Sequence, residues 1–447
     1  MDVIKLASTY FFGTEQFMSA NSMIATVAFK RKIDAEKLSS SYRLLIMNHP
    51  LLQSKRVESS EKDMFEWGRF SPEELECLLL LEKMRLSRFF TEEEALAQYD
   101  PTNTRLPFRI FRLDEFRLIF AMNHALANGR SLVYWIKRWL EYYAGAAETE
   151  PKPLERAAES SGHRDRLLRI KKRMSAFLWM PVFVIGLLFK VMSKAEGRGK
   201  TVDLSHGRKP EPGGRHVKKA YCFSPEETGE ILRQCKSKKM TLTEYICCRL
   251  TDGFLQHAPG KRRVLVSMPM DLQPLNNYSP ETMCGNHVAS LPMQFFRGGN
   301  LEKQVKSTFK WFKRGVPYAL ALSVASLTHS YRKYKKQCLE LTLKPMPERY
   351  PLWDFSITLS NLGVIADPLM EEWMDSMYFS IKNQSLLLTM ATFSGRLMAE
   401  VSVLENLYDP EEVFGLFDQI LATENLLPAK RPELAAQEPA AISLSPS

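Results

Sequence analysis

The sequence predicts an α/β protein in which two ordered blocks of mixed helices and strands flank a basic linker. Apolar residues recur at both helical and strand-like spacing in each block, and 45% of the 447 residues are hydrophobic, enough for large cores. Lys and Arg outnumber Asp and Glu by fifteen to four within residues 160–220. We therefore predict a first lobe at 1–150, a linker at 151–216, a second lobe at 217–427 and a disordered, Pro- and Ala-rich tail at 428–447.

In the first lobe, capping and turn residues predict where the elements begin and end. Asp34 caps a helix that stops before Pro50, because a residue preceding proline disfavours the helical conformation. Arg117–Met122 has the composition of a strand, and Ser131–Ala144 has the apolar spacing of a helix. The heptapeptide Asn123–Gly129 (NHALANG) thus joins a strand to a helix, at the end of a sheet where α/β proteins bind ligands.

The second lobe shows the same mixture of elements. Capping boxes at Ser224 and Thr241 open two helices. Arg263–Met268 predicts a buried strand, and Phe355–Leu359 predicts another that ends at Ser360-Asn361-Leu362-Gly363. The remaining predicted elements are a hairpin, Ser385–Phe393 with Arg396–Val403, and a last helix opened by Asp409-Pro410.

The basic linker contains an apolar run, 176–189, that is uncharged for fourteen residues. A bilayer span needs roughly 20 apolar residues, so the run is too short to cross a membrane alone. It either lies at a membrane surface or packs against the protein as a hydrophobic helix. The stripe at 160–200 fits the phosphates of an anionic membrane, a phosphorylated cofactor or an acidic partner, or is a solvated linker. The charge outside the stripe is nearly balanced, and we predict no nucleic-acid binding.

Cysteine usage predicts a reducing compartment. The seven cysteines show no Cys-x-x-Cys spacing, and the N-terminal residues lack the pattern of a secretory signal. We expect a cytoplasmic protein, with peripheral attachment to the inner membrane surface as one option, and no metal site. Cys284 and His287 are either a thiol–imidazole pair or, the better interpretation, part of a turn. No phosphate-binding glycine loop occurs.

His124 is the one histidine in a turn between a strand and a helix. It lies beside Asn123, Asn128 and Gly129, and the glycine permits a tight backbone turn. An imidazole in such a turn can face a cleft and take a proton from an alcohol or amine. From the spacing alone, a structural histidine with satisfied hydrogen bonds is the better interpretation.

Five short stretches, in order, carry a family resemblance. Asn123–Gly129 resembles the H-H-x-x-x-D-G motif of the chloramphenicol-acetyltransferase-like superfamily, which includes condensation domains, alcohol acyltransferases and wax-ester/diacylglycerol acyltransferases. Asn48–Leu52, Ser267–Gln273, Gly285-Asn286 and Ser360–Gly363 resemble its "HPxLR", "DLR", "GN" and "SNLG" elements. The resemblance spans roughly residues 5–425, and each motif is weak alone. It implies two acetyltransferase-like α/β lobes with mixed sheets flanked by helices and a tunnel between them.

By this resemblance, His124 is the general base of an acyltransferase. It would activate an alcohol or amine acceptor, which the linker composition suggests is lipid-like, for direct attack on an acyl thioester. The donor would be acyl-CoA or a phosphopantetheine-linked acyl group on an acyl carrier protein, with no tightly bound cofactor. Ser360 or Asn361 would donate a hydrogen bond to the oxyanion.

The sequence departs from the motif at two positions in the turn and one in the strand. Asn123 replaces the first histidine and Asn128 the aspartate, while Gln273 replaces the arginine that pairs with that aspartate in the family. Both charges are missing together, so neither is left buried and unpaired. We hypothesise a neutral Asn128–Gln273 amide pair, with Gly129 and Asp271 as further structural residues of the motifs. The alternative is a degenerate member that acts as a binding or membrane-associated scaffold.

Overall fold

The computed structural model describes residues 22–58, 65–98, 105–124, 127–146, 201–208, 215–271, 288–313, 355–381 and 386–422. The strands in these ranges are β1 (Ser22–Phe29), β2 (Ser54–Glu58), β3 (Phe65–Arg69), β4 (Phe108–Arg112), β5 (Arg117–Asn123), β6 (His216–Cys222), β7 (Arg263–Asp271), β8 (Val288–Phe296), β9 (Ile357–Ile365), β10 (Met374–Ile381), β11 (Leu386–Phe393) and β12 (Arg396–Leu404). The α-helices are α1 (Ala35–Asn48), α2 (Pro72–Leu86), α3 (Glu92–Gln98), α4 (Gly129–Ala144), α5 (Pro225–Ser237), α6 (Leu242–His257), α7 (Leu301–Lys313), α8 (Pro368–Trp373) and α9 (Pro410–Leu421).

The first sheet is antiparallel and has the strand order β10-β1-β5-β4. One of its faces packs against α1 and α4, where Trp139 is fully buried and meets Phe120 with their ring centroids 5.1 Å apart. The strand β10 comes from the C-terminal half of the chain yet completes this sheet beside β1. The linear division at residues 150 and 217 does not anticipate this exchange.

The second sheet is mixed and has the strand order β6-β12-β11-β9-β7-β8. The strand β9 runs parallel to β7 and β11, and the other described pairs are antiparallel. One face is apolar and packs against α5, α6, α7 and α9 in a second core, which includes Phe254, Val305 and Phe417. The two cores give the mixed α/β architecture that the sequence predicts.

The caps predicted from the sequence set the helix bounds. Asp34 accepts a hydrogen bond from the backbone N–H of Lys37 at the start of α1. Ser224 and Thr241 form complete capping boxes, in which each side chain bonds the backbone of the residue three positions on. Asp409 caps α9 without a capping box, and its side chain accepts hydrogen bonds from the backbone N–H groups of Glu411 and Glu412. Side-chain oxygens thus satisfy N–H groups that the first turn of a helix leaves without partners.

The strand β9 is longer than the sequence predicts and connects the two cores. We expected it to end at Leu359, but it continues through the SNLG element to Ile365, because its parallel ladder with β11 continues past Ser360. Gly363 has a φ of 83°, a left-handed conformation that glycine adopts without strain, beside the irregularity in that ladder. Leu359 lies in the second core and Ile365 in the first.

Several sequence predictions concern residues outside the described ranges. These are the apolar run at 176–189, the tail at 428–447, the Gly285-Asn286 turn, the Cys284–His287 pair and Gln273. Within the ranges that the structure does describe, no helix has both the length and the apolar character needed to cross a membrane.

The packing of α6 on α9 generates a testable prediction. A Cβ atom on Gly253 would overlap Cγ1 of Ile420, whereas a Cβ on Gly229 in α5 would meet nothing within 4 Å. We expect Gly253→Ala to lower the free energy of unfolding by about 1–3 kcal/mol through overpacking. The matched control Gly229→Ala should raise it by about 0.5–1 kcal/mol, since alanine has the higher helix propensity. Urea unfolding measures both, and equal effects would contradict the packing described.

Candidate active site

The turn that carries His124 is held at both ends by regular structure. The strand β5 ends at Asn123, whose N–H donates to the carbonyl of Pro107 over 3.0 Å. Helix α4 begins at Gly129, and the preceding Asn128 caps it by accepting a hydrogen bond from the Ser131 N–H over 2.9 Å. The structure therefore places the heptapeptide between a strand and a helix, as its sequence predicts.

His124 is buried and has a fixed tautomer. Its side chain is 3% exposed, and its Nδ1 lies 2.9 Å from the carbonyl oxygen of Ala127. A carbonyl oxygen only accepts hydrogen bonds, so Nδ1 carries the proton and Nε2 carries the lone pair. Burial lowers the pKa of His124 below its usual 6.5, and hydrogen bonds to backbone carbonyls offset only part of this effect. The ring is therefore a neutral imidazole whose Nε2 can accept a proton.

The motif turn is bonded to the second lobe through Asn128. Its side-chain amide donates to Oδ1 of Asp271, at the end of β7, over 3.1 Å. Arg130 is the second residue of α4, and its Nη1 is 3.9 Å from Oδ2 of the same carboxylate. Gln273, the partner that the sequence suggested for Asn128, lies outside the described residues, so that pair stays a prediction. The described contact shows that Asn128 reaches the strand that precedes Gln273.

A second contact joins the motif turn to β9. A Cβ atom on Gly129 would lie 2.8 Å from Cδ2 of Leu362, which is closer than such atoms approach in proteins. The glycine at this motif position thus allows the start of α4 to lie directly on the SNLG element. The motif turn therefore meets two different strands of the second sheet.

The two oxyanion candidates differ in their surroundings. The side-chain N–H of Asn361 donates to Oγ1 of Thr243 in α6 over 2.9 Å. The side-chain oxygen of Asn361 accepts from the backbone N–H of Gly363 over 2.8 Å. Side chains alternate along a strand, so Ser360 and Leu362 lie on the opposite face, the one that contacts Gly129. Asn361 is thus engaged in holding α6 and the β9 backbone, and Ser360 shares the face of the motif turn.

Comparison with known proteins identifies the fold. No family model and no curated protein matches the sequence. The first condensation domain of the CDA synthetase is similar in structure, with a TM-score of 0.56 and 15% identity over 94% of each chain. The chain has the condensation-domain fold, which is the chloramphenicol-acetyltransferase-like fold.

Two further solved structures show how widely this condensation-domain fold occurs. Polyketide synthase associated protein 5 from Mycobacterium tuberculosis is 12% identical, with a TM-score of 0.55, over 94% of this chain and 97% of its own. A mutant starter condensation domain of rhizomide synthetase, solved in complex with C8-CoA, is 12% identical, with a TM-score of 0.53, over 93% and 92%. The resemblance that the five motifs predict is confirmed for the fold.

Sequence reasoning missed two partners of the motifs. Arg130 directly follows the motif glycine and carries a charge that could have compensated Asp271, which kept its carboxylate although Gln273 replaces the family's arginine. Thr243, which accepts from Asn361, lies in a capping box and carries no signal of a long-range contact. The Arg130–Asp271 contact could have been predicted, because a carboxylate that lacks the family's arginine needs another cation. The Asn361–Thr243 hydrogen bond can be seen only in the folded structure.

The Asn128–Asp271 contact yields a charge-swap prediction. We expect Asn128→Asp to lower the free energy of unfolding by about 1–3 kcal/mol at pH 7, because it opposes two carboxylates while keeping a good helix cap. The double variant Asn128→Asp/Asp271→Asn should regain most of the loss, since the hydrogen bond re-forms with its direction reversed. Urea unfolding at pH 7 and pH 4 measures this.

The pH dependence provides the control. The deficit of the single variant should shrink at pH 4, where one carboxyl takes up a proton and can donate to the other. A deficit that is unchanged by the second substitution and by acid would contradict the inter-lobe bond.

Proposed function

We propose that the protein is an acyltransferase that moves an acyl group from a thioester to an alcohol or amine. The observation that carries the proposal is the state of His124, a buried neutral imidazole whose Nδ1 donates to Ala127 and whose Nε2 can accept a proton. Its position supports the same conclusion, because the turn that holds it is bonded to Asp271 across the two lobes.

The proposed reaction uses His124 as the general base. Nε2 takes the proton of the acceptor hydroxyl or amine as its oxygen or nitrogen attacks the thioester carbonyl carbon. The new bond forms a tetrahedral intermediate, and the carbon–sulfur bond then breaks. The proton on Nε2 passes to the leaving thiolate, which restores the neutral imidazole and needs no acyl-enzyme.

The donor is coenzyme A or the phosphopantetheine of a carrier protein carrying the acyl group. The rhizomide synthetase domain was solved with C8-CoA, and a condensation domain of the calcium-dependent antibiotic synthetase with a substrate analogue. The likeness to those domains is one of fold, and the extension to this chain's donor is our proposal. A lipid-like acceptor and attachment of residues 160–200 to an anionic membrane stay predictions.

The developing oxyanion needs a hydrogen-bond donor, and we assign this role to Ser360. Ser360 lies on the same face of β9 as Leu362. Leu362 contacts Gly129, which is five residues after His124. Asn361 points to α6, where its amide is engaged with Thr243. A hydroxyl on the face that meets the motif turn is the better placed of the two side chains.

A non-catalytic scaffold is the second candidate, because Asn123 and Asn128 replace a histidine and an aspartate of the motif. Asn128 nonetheless holds the motif turn in place, because its side chain caps α4 and donates a hydrogen bond to Asp271. His124 also keeps the hydrogen bond that fixes its tautomer. The replacements therefore alter the charges around the turn while the imidazole keeps the features that a base needs.

The role of His124 predicts a specific pH dependence. Because its pKa lies below 6.5, it remains a base in mildly acidic solution, and kcat/KM should begin to fall only below about pH 6.5. His124→Ala should lower kcat by at least about a hundredfold, the size of a general-base contribution, with the fold intact. Release of free thiol from acyl-CoA with a panel of alcohols and amines measures both, and unchanged turnover by the variant would favour the scaffold.

The lowered pKa of His124 also makes the free energy of unfolding depend on pH, and this can be measured without a substrate. The unfolded chain binds a proton at His124 as pH falls through 6.5, whereas the folded chain does not until a lower pH, so the folded state loses stability below pH 6.5. His124→Ala should lack this component of the acid-induced loss. Circular dichroism at pH 7.5 and 5.5 provides the comparison.

The assignment of the oxyanion donor predicts a contrast between neighbours. Ser360→Ala should lower kcat by about 10²-fold with little change in the free energy of unfolding. Asn361→Ala should instead lower the free energy of unfolding by about 1–3 kcal/mol, since it leaves Thr243 and the Gly363 N–H without their partner. The reverse pattern would transfer the role to Asn361.

A further inference from the structure

Helix α2 exposes apolar side chains on its outer face. Cys77, Leu80, Leu81 and Met84 occupy positions i, i+3, i+4 and i+7, so they form a single stripe along one side of the helix. Leu80, Leu81 and Met84 are 60%, 56% and 69% exposed. We name these four residues the α2 stripe. Residues at this spacing form the line along which one helix packs on another apolar segment.

The buried face of α2 explains why the helix cannot turn its stripe inward. Glu82 and Arg85 are buried there, and Arg85 Nε donates to Oε2 of Glu82 over 3.0 Å. Arg109 of β4 donates from its Nε to Oε1 of the same carboxylate over 3.0 Å. Breaking such a buried pair costs about 3–5 kcal/mol, so the network fixes the rotation of α2. Leu75 and Leu79 also lie on this face, in the first core, and a helix with apolar residues on both sides is normally covered on both.

The exposed apolar surface extends beyond the α2 stripe. Of the ten large apolar side chains that are exposed in the described ranges, six lie on α1, on α2 or just after α2. The two on α1, Leu44 and Met47, flank the point where Arg43 bonds both carboxylate oxygens of Glu76 in α2, over 2.9 and 2.6 Å. Apolar side chains concentrated in one part of a surface mark an interaction site, whereas scattered ones are ordinary.

The charges at the two ends of the α2 stripe restrict what can cover it. Residues 72–98 contain seven glutamates against three Lys and Arg residues. Three of these glutamates precede the stripe, and Glu92, Glu93 and Glu94 follow it at the start of α3. A negative balance repels an anionic membrane, and it also opposes packing of the stripe against its copy in a symmetric dimer. The occupant that fits is an apolar segment with basic residues at both ends.

One segment of this chain has that pattern. The apolar run 176–189, which lies outside the described ranges, is preceded by six basic residues within 164–173 and followed by four within 190–200. We propose that this run packs on the α2 stripe and that its basic flanks lie beside the glutamates at the ends of the stripe. This is the second of the two options that the sequence leaves open for the run, and it does not rest on the proposed acyl transfer.

The chain is long enough for this contact. The run ends twelve residues before Thr201, whose backbone bridges Arg263 at the start of β7. Twelve residues span up to about 40 Å when extended. Lys218 of β6 forms an ion pair with Glu92, so α3 lies against the second sheet, and β6 is four strands from β7, about 19 Å across the sheet. The tether from Thr201 therefore reaches α3 and α2, which five residues separate.

Photo-cross-linking of the full chain identifies the occupant. Leu80→p-benzoylphenylalanine places a photoreactive group on the stripe, and Leu232→p-benzoylphenylalanine places one on an exposed position of α5 as the control. Mass spectrometry of the digested protein should find residue 80 joined to 176–189 of the same chain, and residue 232 not joined to that run. Cross-links from residue 80 to a second copy, or none to the run, would overturn the proposal.

Vesicles of phosphatidylglycerol provide the membrane comparison. The cross-link from residue 80 to the run should form equally with and without them. Labelling of lipid by residue 80, or loss of the cross-link when vesicles are present, would overturn the proposal in favour of a membrane surface.

The exposed thiol of Cys77 gives an independent measurement on unmodified protein. Replacing residues 176–189 by glycine and serine at the same length should speed its reaction with N-ethylmaleimide at least about tenfold, because a docked run shields the thiol until it opens. Cys248, half-buried in the second lobe, is the control and should react equally in both proteins. Equal reactivity of Cys77 in both proteins would contradict the contact.

Charge reversal tests the matching of the ends. Glu73 and Glu93 are exposed on either side of the stripe, and the double variant Glu73→Lys/Glu93→Lys should lower the protection of Cys77 about two- to tenfold, the effect of losing two surface ion pairs. The control Glu36→Lys reverses an exposed charge at the start of α1 and should leave the protection unchanged. Protection that is insensitive to the double variant would overturn the charge matching that selects the run.

Discussion

The contact between Asn128 and Asp271 joins the turn that holds the imidazole to the second lobe, and the geometry of the site depends on it. The same asparagine caps α4 with its side-chain oxygen and reaches β7 with its side-chain nitrogen. Both halves of the amide are therefore used, one within the first lobe and one across the boundary. A carboxylate at this position could cap the helix equally well, but it could not donate to Asp271.

The charges around this contact form a consistent set. A buried charge that loses its partner costs about 3–5 kcal/mol, so an aspartate and an arginine that normally pair must be replaced together or compensated. Here the carboxylate of Asp271 remains, with the Asn128 amide and the Arg130 guanidinium on the side of the motif turn. The motif turn thus stays bonded to β7 although Asn128 and Gln273 lack the charges of the family motif. This explains why the site remains ordered despite these two replacements.

The parts of the structure that follow from local chemistry could be predicted from the sequence. The helices begin after Asp34, Ser224, Thr241 and Asp409 because a side-chain oxygen satisfies the first N–H groups, and this requires no knowledge of the fold. The β11–β12 hairpin likewise follows from its alternating residues and the Ser394-Gly395 turn. Long-range pairing could not be predicted in this way: β10 joins β1 across more than half of the chain, and β9 extends past Leu359 because β11 continues beside it.

The site was predictable to the extent that it consists of one local turn. The position of His124 follows from a strand, a glycine and a helix in succession, but its tautomer depends on where the Ala127 carbonyl lies, and its lowered pKa depends on burial. A neutral imidazole in a water-poor region interacts strongly with whatever polar group reaches it. The protonation state of the ring is therefore set by the folded structure around it, and the sequence of the turn alone does not reveal it.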